Sequence, residues 1–394
     1  MSEKIGPMNL LVATNLFPDT KEPWRGLDNV TLVHAMRQQD PGLNVRVLAF
    51  RPSVKHWGAA ALYSRPEDAG LHPQYFWAPY VPRLGGMNHR LFSFAFARAL
   101  KALPRDFTPD AVLVPWLFPD ACGVVLKASE WRVPIVAVAQ GSDVHSYLNM
   151  PMRRRAILAM TRGISAIVTR SNDLEKRLAR NGADERKVHT VYNGVDIHTF
   201  KPASRAVARD ELKVPQEGKL LLFVGNFLPV KGLDLLLAAF ARVVSSSPQP
   251  VRLALIGGGP LEEALRAQAG ELNITDKVQF LGRHGASRVA RWMQAADAVC
   301  LTSHNEGVPN VVLEALSSGR APVCMDVGGI AEVVEPVLGK RFLVPQRDAG
   351  AYASALLDAL ANPPDEEALH QAAVKSFAWE KCAQQYLSLL RGEA

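Results

Sequence analysis

Cysteine is scarce in this chain: four in 394 residues, at positions 122, 300, 324 and 382. None sits in a Cys-x-x-Cys pair or beside a histidine. Neither a disulfide framework nor a zinc site is therefore expected, and a reducing compartment fits. Long apolar runs are also missing; none approaches the roughly 20 residues that a membrane-spanning helix needs. The stretch from Met1 to Phe17 has one early lysine and a short apolar segment broken by Asn9 and Asn15, which reads as a first β-strand rather than a signal peptide. Walker loops, His-Glu-x-x-His pairs and Gly-x-Ser-x-Gly elbows are absent, so nucleotide hydrolysis, zinc peptidase and serine hydrolase chemistry have no motif behind them. No repeat of 20–50 residues and no low-complexity tract interrupts the chain. With 48% hydrophobic and 21% charged residues the composition is globular, not disordered, collagen-like or coiled-coil.

The length exceeds what one core usually serves and points to two domains of about 150–200 residues. Charge is uneven between the halves. Residues 1–200 carry 25 Lys/Arg against 17 Asp/Glu, whereas residues 201–394 carry 20 against 21. Such asymmetry suits an anionic lipid or nucleic-acid partner for the first half, or is simple drift of surface charge. Compact apolar runs alternate with helical patterns throughout, the pattern of βαβ units and a parallel sheet. Strands are expected at 9–13, 45–49, 111–115, 135–139 and 166–169, then at 220–224, 252–256, 278–281, 298–301 and 322–325. Helices are expected at 27–38, 91–103, 121–129 and 173–180, then at 232–244, 260–268, 288–295, 311–317 and 352–361. Gly194-Val195-Asp196, Lys201-Pro202 and Pro215 place the boundary in the region 194–216, drawn as 1–198 and 199–373. An amphipathic segment, Val374–Leu390, lies within a closing piece, 374–394, expected to pack back toward the first domain.

The densest chemistry lies in Ser303-His304-Asn305-Glu306-Gly307-Val308-Pro309-Asn310. A strand ends before it and a helix starts near its end, which leaves free N–H groups and a positive helix terminus suited to phosphate. Glu306 stands in the loop and Glu314 about one turn into the helix. Two carboxylates so spaced could grip hydroxyls on either side of a diphosphate, or Glu314 could serve the helix dipole and Glu306 be a solvated loop residue. Lys231 opens the amphipathic helix expected at 232–244, where a cation is unfavourable by the dipole rule, a local conflict that a bound diphosphate would relieve.

Glu306-x7-Glu314, inside Glu-Gly-Val-Pro-Asn-Val-Val-Leu-Glu-Ala, resembles the retaining GT-B glycosyltransferases of family 4, the glycosyl transferases group 1. Val224 to Gly232 resembles that family's phosphate loop, Tyr192 to Asp196 its passage between domains, and Val327 to Glu332 the loop after its penultimate strand. Phe377, Trp379 and Tyr386 resemble its closing helix. The resemblance implies an α/β fold of two Rossmann-like, doubly wound domains facing across a cleft, the first binding acceptor and the second binding donor. It implies that Glu314 holds the nucleotide ribose and that Glu306 with Gly307, Val308, Pro309 and Asn310 holds the donor sugar. Lys231 would bind the diphosphate and stabilise the leaving group. No cofactor is implied beyond a UDP- or GDP-linked sugar substrate. With no Asp-x-Asp in the sequence, no metal is implied either.

Three positions depart from the family pattern. Asn226 stands where most members have arginine, so Lys231 and the helix terminus suffice, or a cation such as Arg283 substitutes, or activity is weak. Only Gly26 remains of a glycine pair expected to let backbone approach phosphate and acceptor. Gln140 replaces the histidine of a His-Gly-x-Asp phrase, here Gln140-Gly141-Ser142-Asp143. His145 is left as a candidate catalytic group and Asp143 as a site residue or a turn cap. Gly257-Gly258-Gly259 lacks dinucleotide spacing and reads as a turn beside the nucleotide.

The resemblance thus implies a glycosyltransferase acting on a glycan acceptor, lipid-linked in the family's usual setting of cell-surface polysaccharide assembly, from the cytoplasmic side. Alternatives are a catalytically silent donor-binding subunit and a nucleotide-sugar epimerase. Phe92, Phe96, Ala99 and Leu103 share one helical face, with Arg98, Lys101, Arg105 and Arg153-Arg154-Arg155 elsewhere. That pattern fits either an anionic membrane surface or a core stripe beside a solvated basic face. Nucleic acid is not expected, because no recognition motif accompanies the charge.

Overall fold

The computed structural model describes residues 7–128 and 131–393. The first six residues, and the end of the expected 121–129 helix at Ser129, lie outside that description. Two compact units result, Met1–Asn193 with Trp379–Ala394, and Gly194–Ala378. The divisions fall at 193/194 and 378/379, not at 198/199 and 373/374. Their physical reason is one bridge: Val195 pairs in parallel with Ala378, and Val195 N–H donates to the Phe377 carbonyl at 2.7 Å. Both flanks of that bridge therefore belong to the second unit.

Strands of the first unit are β1 (Asn9–Thr14), β2 (Asn44–Ser53), β3 (Gly58–Ala59), β4 (Pro73–Pro79), β5 (Ala111–Val114), β6 (Ile135–Ala139), β7 (Ala166–Thr169) and β8 (Val188–Thr190). They form one sheet in the order β3-β4-β2-β1-β5-β6-β7-β8, parallel except for the short β3. In the second unit β9 (Lys219–Val224), β10 (Val251–Ile256), β11 (Val278–Gly282), β12 (Ala298–Leu301), β13 (Ala321–Met325) and β14 (Leu343–Val344) form the order β11-β10-β9-β12-β13-β14. Each order runs outward from a first strand and then reverses, the doubly wound arrangement. The expected strands all occur, and their uniform apolar character follows from burial on both faces, as in β5 and β13.

Elements the periodicity did not reveal have local causes. Proline opens and closes β4, so it does not read as a strand. Helix Pro151–Met160 was hidden by its arginine run, and helix Ile330–Leu338 by the internal Pro336. The Val374–Leu390 segment is not one helix. Glu366–Phe377 and Trp379–Arg391 are separated by Ala378, which is extended. Helix Trp379–Arg391 buries Cys382, Tyr386, Leu387 and Leu390 in the same core cluster as Val30, Val33 and Met36 of helix Leu27–Gln39. Arg391 pairs with Asp40 at 2.9 Å.

The aromatic stripe of the 91–103 segment also resolves. Phe92, Phe96 and Ala99 of helix Asn88–Ala99 are buried in core, stacked near Phe50. They are unavailable to a membrane, whereas Phe94 on the opposite face is exposed. Among the described residues no helix is long and apolar enough to cross a bilayer.

Candidate functional site

In the second sheet the strand order reverses between the parallel neighbours β9 and β12, and loops at such a switch point are where open parallel sheets bind ligands. After β9 the chain runs from Gly225 through a tight turn, Pro229–Lys231, to Gly232 at φ +61°. A side chain at 232 would meet the Thr302 carbonyl at 2.3 Å, so only glycine lets this loop close on the end of β12. Thr302 Oγ1 donates to the Lys231 carbonyl at 3.1 Å, and His304 N–H donates to that of Val230 at 2.8 Å. Arg347 holds the Thr302 carbonyl at 2.7 Å. So joined, the two loops bring Lys231 Nζ to 2.5 Å from Glu306 Oε1, an oxygen that also accepts from Ser303 Oγ at 2.7 Å. Both side chains keep some access to solvent, 22% for Lys231 and 13% for Glu306.

Gly307 follows, with open space where a side chain would project. The backbone of Glu306 and Gly307 lies against the Gly328–Gly329 turn. A Cβ at 328 would fall 1.8 Å from the Glu306 carbonyl, and Gly329 N–H donates to the Gly307 carbonyl at 3.1 Å. Helix Asn310–Ser317 begins next, placing its first N–H groups at this edge and the half-buried Glu314 on its fifth residue. Val308 is buried beneath and Pro309 is the residue before the helix. Lys231, Glu306 and Gly307–Asn310 thus form one cluster. Asn226 is exposed on the β9 loop. Arg283 follows β11 at the sheet edge, its Nε 3.7 Å from where a Gly258 Cβ would sit. It borders the glycine turn, three strands away from Glu306's strand. Ser303 and Arg347 were not singled out from sequence. Ser303 carries a signal in its place three residues before Glu306, but nothing local marks Arg347.

In the first unit the reversal lies between β1 and β5. Here the polar groups satisfy one another. Gly26, at φ +66°, is required by the chain itself, because a Cβ would meet the Leu16 carbonyl at 2.2 Å. The expected opening toward phosphate at Gly26 is thus a close internal approach. Gln140 Nε2 donates to Asn29 Oδ1 at 2.9 Å and to the Pro115 carbonyl at 3.2 Å, tying the loops after β5 and β6 to the first turn of helix Leu27–Gln39. Asp143 is buried and accepts from the N–H groups of Gln140, Gly141 and Leu117, which makes it a turn organiser. Burial outweighs those donors and pushes its carboxyl up to about 6. Across the switch point, Asn15 donates to buried Asp120 from its N–H at 2.6 Å and its side chain at 2.9 Å. Burial raises Asp120 to about 7. His145, expected near the reacting sugar, has its Nε2 buried without a hydrogen bond, 3.8 Å from Asp173 Oδ2. Desolvation, then Arg177, lowers its pKa.

Comparison with known proteins is consistent along the chain. Residues 204–376 match the family described as glycosyl transferases group 1, and residues 24–199 match glycosyltransferase family 4. A D-inositol 3-phosphate glycosyltransferase of Saccharomonospora viridis is 31% identical over 292 residues, 71% of this chain and 67% of that protein. A second, from Catenulispora acidiphila, is 32% identical over 286 residues, 68% and 66% of the two chains. The chain thus spans about two thirds of the length of the curated relatives it matches. Among solved structures, sucrose-phosphate synthase of Thermosynechococcus elongatus superposes with a TM-score of 0.74 at 20% identity over 98% of each chain. The Anabaena HepE protein, in complex with UDP-glucose, gives 0.73 at 19% identity over 97% of this chain and 99% of that one.

Asp120 yields a pH prediction. Its folded-state pKa is raised from 3.8 to about 7, so the folded protein holds a proton that the unfolded chain releases. The resulting stability is fully present below pH 3.8 and is lost as pH rises through about 7. Asp120→Asn should therefore flatten the fall of unfolding free energy across that window in urea titrations. An unchanged slope would show that Asp120 ionises normally.

Proposed function

This chain belongs to glycosyltransferase family 4 and has the GT-B fold, and we propose that it moves a sugar from a nucleoside-diphosphate donor to a hydroxyl of a glycan, with retention at the anomeric carbon. The observation that carries the reading is the Lys231–Glu306 pair, clamped across the switch point in front of a helix start. A diphosphate entering there would meet an ammonium and the positive end of a helix together, an arrangement suited to anions. Glu306, relieved of Lys231, turns to donor-sugar hydroxyls, and Glu314 takes those of the ribose. As the anomeric C–O bond breaks, negative charge grows on the leaving phosphate and Lys231 stabilises it. The family motif sets no carboxylate on the opposite face of the sugar. The acceptor oxygen therefore bonds to the anomeric carbon from the face the phosphate leaves, and the phosphate oxygen receives the acceptor's proton. Gln140, Asp143 and Gly26 shape the first unit's loops, and no step is assigned to His145.

HepE was solved with UDP-glucose, so UDP-hexoses head the donor list here, with GDP-linked sugars behind them. The relatives' names point to a phosphorylated cyclitol as the acceptor to set against a lipid-linked glycan. Four free, buried cysteines suit a reducing, cytoplasmic setting. Peripheral attachment to an anionic inner membrane face would rest on exposed Phe94 with Arg98 near it, since the stripe beneath is core.

Ligand binding, turnover and vesicle association test this reading. Thermal-shift screening should reveal one stabilising nucleotide sugar, and with the right acceptor the protein should release nucleoside diphosphate and give a product of unchanged anomeric configuration by NMR. An inverted linkage rejects the front-face mechanism; donor isomerised without acceptor indicates an epimerase; donor bound but never consumed indicates a silent subunit. Lys231→Ala should lower kcat by about 100-fold, and Glu314→Ala should raise the donor KM about tenfold, both with near-native melting. Co-sedimentation with anionic vesicles should fall with salt and in Phe94→Ser; indifference to both removes the membrane assignment.

A further inference from the structure

Helix Pro151–Met160 turns two different faces to its surroundings. Ile157 and Met160 enter the first unit's core, and the Arg153 guanidinium lies 4.2 Å from the centre of the Tyr147 ring. The other face carries Arg154, Arg155 and Leu158, and the turn after the helix adds Arg162 at the same helical stripe. Together with Asn149 and Asn181 these residues line a cavity of about 910 Å³. That is the size range of small-molecule sites.

Its charge is uncompensated. Among the described residues no carboxylate lines the cavity and none pairs with Arg154, Arg155 or Arg162. Neighbouring arginines behave differently: Arg177 pairs with Asp173 and Arg186 with Asp184. Arg154, Arg155 and Arg162 are exposed and line one concavity, so an anion entering it meets three positive groups. The amides are already oriented. Asn149 Nδ2 donates to the His145 carbonyl at 2.9 Å and Asn181 Nδ2 to the Arg177 carbonyl at 2.8 Å, which leaves both Oδ1 atoms as acceptors for hydroxyls.

We propose that this groove binds an anionic saccharide, a stretch of glycan bearing carboxylate or phosphate, at a site built wholly from residues of the first unit. Guanidinium forks take the acid groups, the amide oxygens take hydroxyls, and Leu158 supplies an apolar floor. The inference rests on the glycan-acceptor reading above and adds the acidic character of that glycan. A bilayer fits less well, because exposed Met150 and Met152 stand at the helix start but outside the cavity, whose own lining is arginines and amides around buried Leu148. Nucleic acid fits less well because no aromatic ring lines the cavity for base stacking.

The test uses the full chain with fluorescently labelled tetragalacturonate, neutral maltotetraose, polyglutamate and phosphatidylglycerol vesicles as probes. Wild type should bind tetragalacturonate at least about tenfold more tightly than maltotetraose or polyglutamate. The triple variant Arg154→Gln/Arg155→Gln/Arg162→Gln should lose that preference while keeping its melting temperature and its donor affinity. A lysine triple variant should retain part of the binding, since charge survives without the planar fork. Absence of tetragalacturonate binding, equal binding by the glutamine variant, or equal retention of polyglutamate would overturn the proposal. Vesicle binding that the glutamine variant abolishes, without saccharide preference, would reassign the groove to lipid. Transfer activity is read separately, so failure of turnover with saccharide binding intact would count against the transferase reading and not against this groove.

Discussion

Parallel strands cannot be joined by tight turns, so each crossover in a doubly wound sheet returns through a helix and leaves its loops at the strands' C-terminal edge. Where the winding reverses, two neighbouring strands send their loops apart and a crevice opens between them. The Lys231–Glu306 cluster follows from that constraint. Lys231 and Glu306 are 75 residues apart in sequence yet come to 2.5 Å, because β9 and β12 flank the reversal. Glycine at 232 and 328 is what lets the backbones approach closely enough to hold them there.

The two units apply the same topology to different ends. At the second unit's reversal the polar groups are partly exposed and charged, with a helix start behind them. At the first unit's reversal they are buried and turned on one another, through Asn15–Asp120, Gln140–Asn29 and Asp143 with its three N–H donors. Burial there raises both carboxyls, which costs stability near neutral pH but fixes loop shape. A rigid frame and an accessible ion pair are what an acceptor-shaping unit and a donor-binding unit would respectively need.

Strands and charged motifs were legible from sequence because they are local. Four- to six-residue apolar runs stand out between glycine and proline, and Glu306-x7-Glu314 lies within one loop and one helix. Contacts between distant residues left no such trace. Nothing near Gln140 announces Asn29, 111 residues earlier, and nothing near Asp120 announces Asn15. Periodicity found the Phe92–Phe96–Ala99 face but not which way it points, since a core stripe and a membrane stripe share one spacing. The break at Ala378 is likewise tertiary: the bridge to Val195 imposes extended backbone on an otherwise helical sequence.

The substitution at 226 bears on how the ion pair would work. An arginine there would add a second fixed cation, whereas Asn226 leaves Lys231 as the charge already built into the cluster. A lone ammonium at 22% exposure is costly to leave unpaired, and Glu306 supplies the counter-charge while no donor is bound. On the proposed reading a diphosphate would take that place by releasing the Glu306 carboxylate, which would then be an acceptor for hydroxyls. The Ser303 hydroxyl, which already donates to Oε1, would keep the freed carboxylate oriented. Binding of the phosphates and presentation of the sugar clamp would then be one exchange of partners.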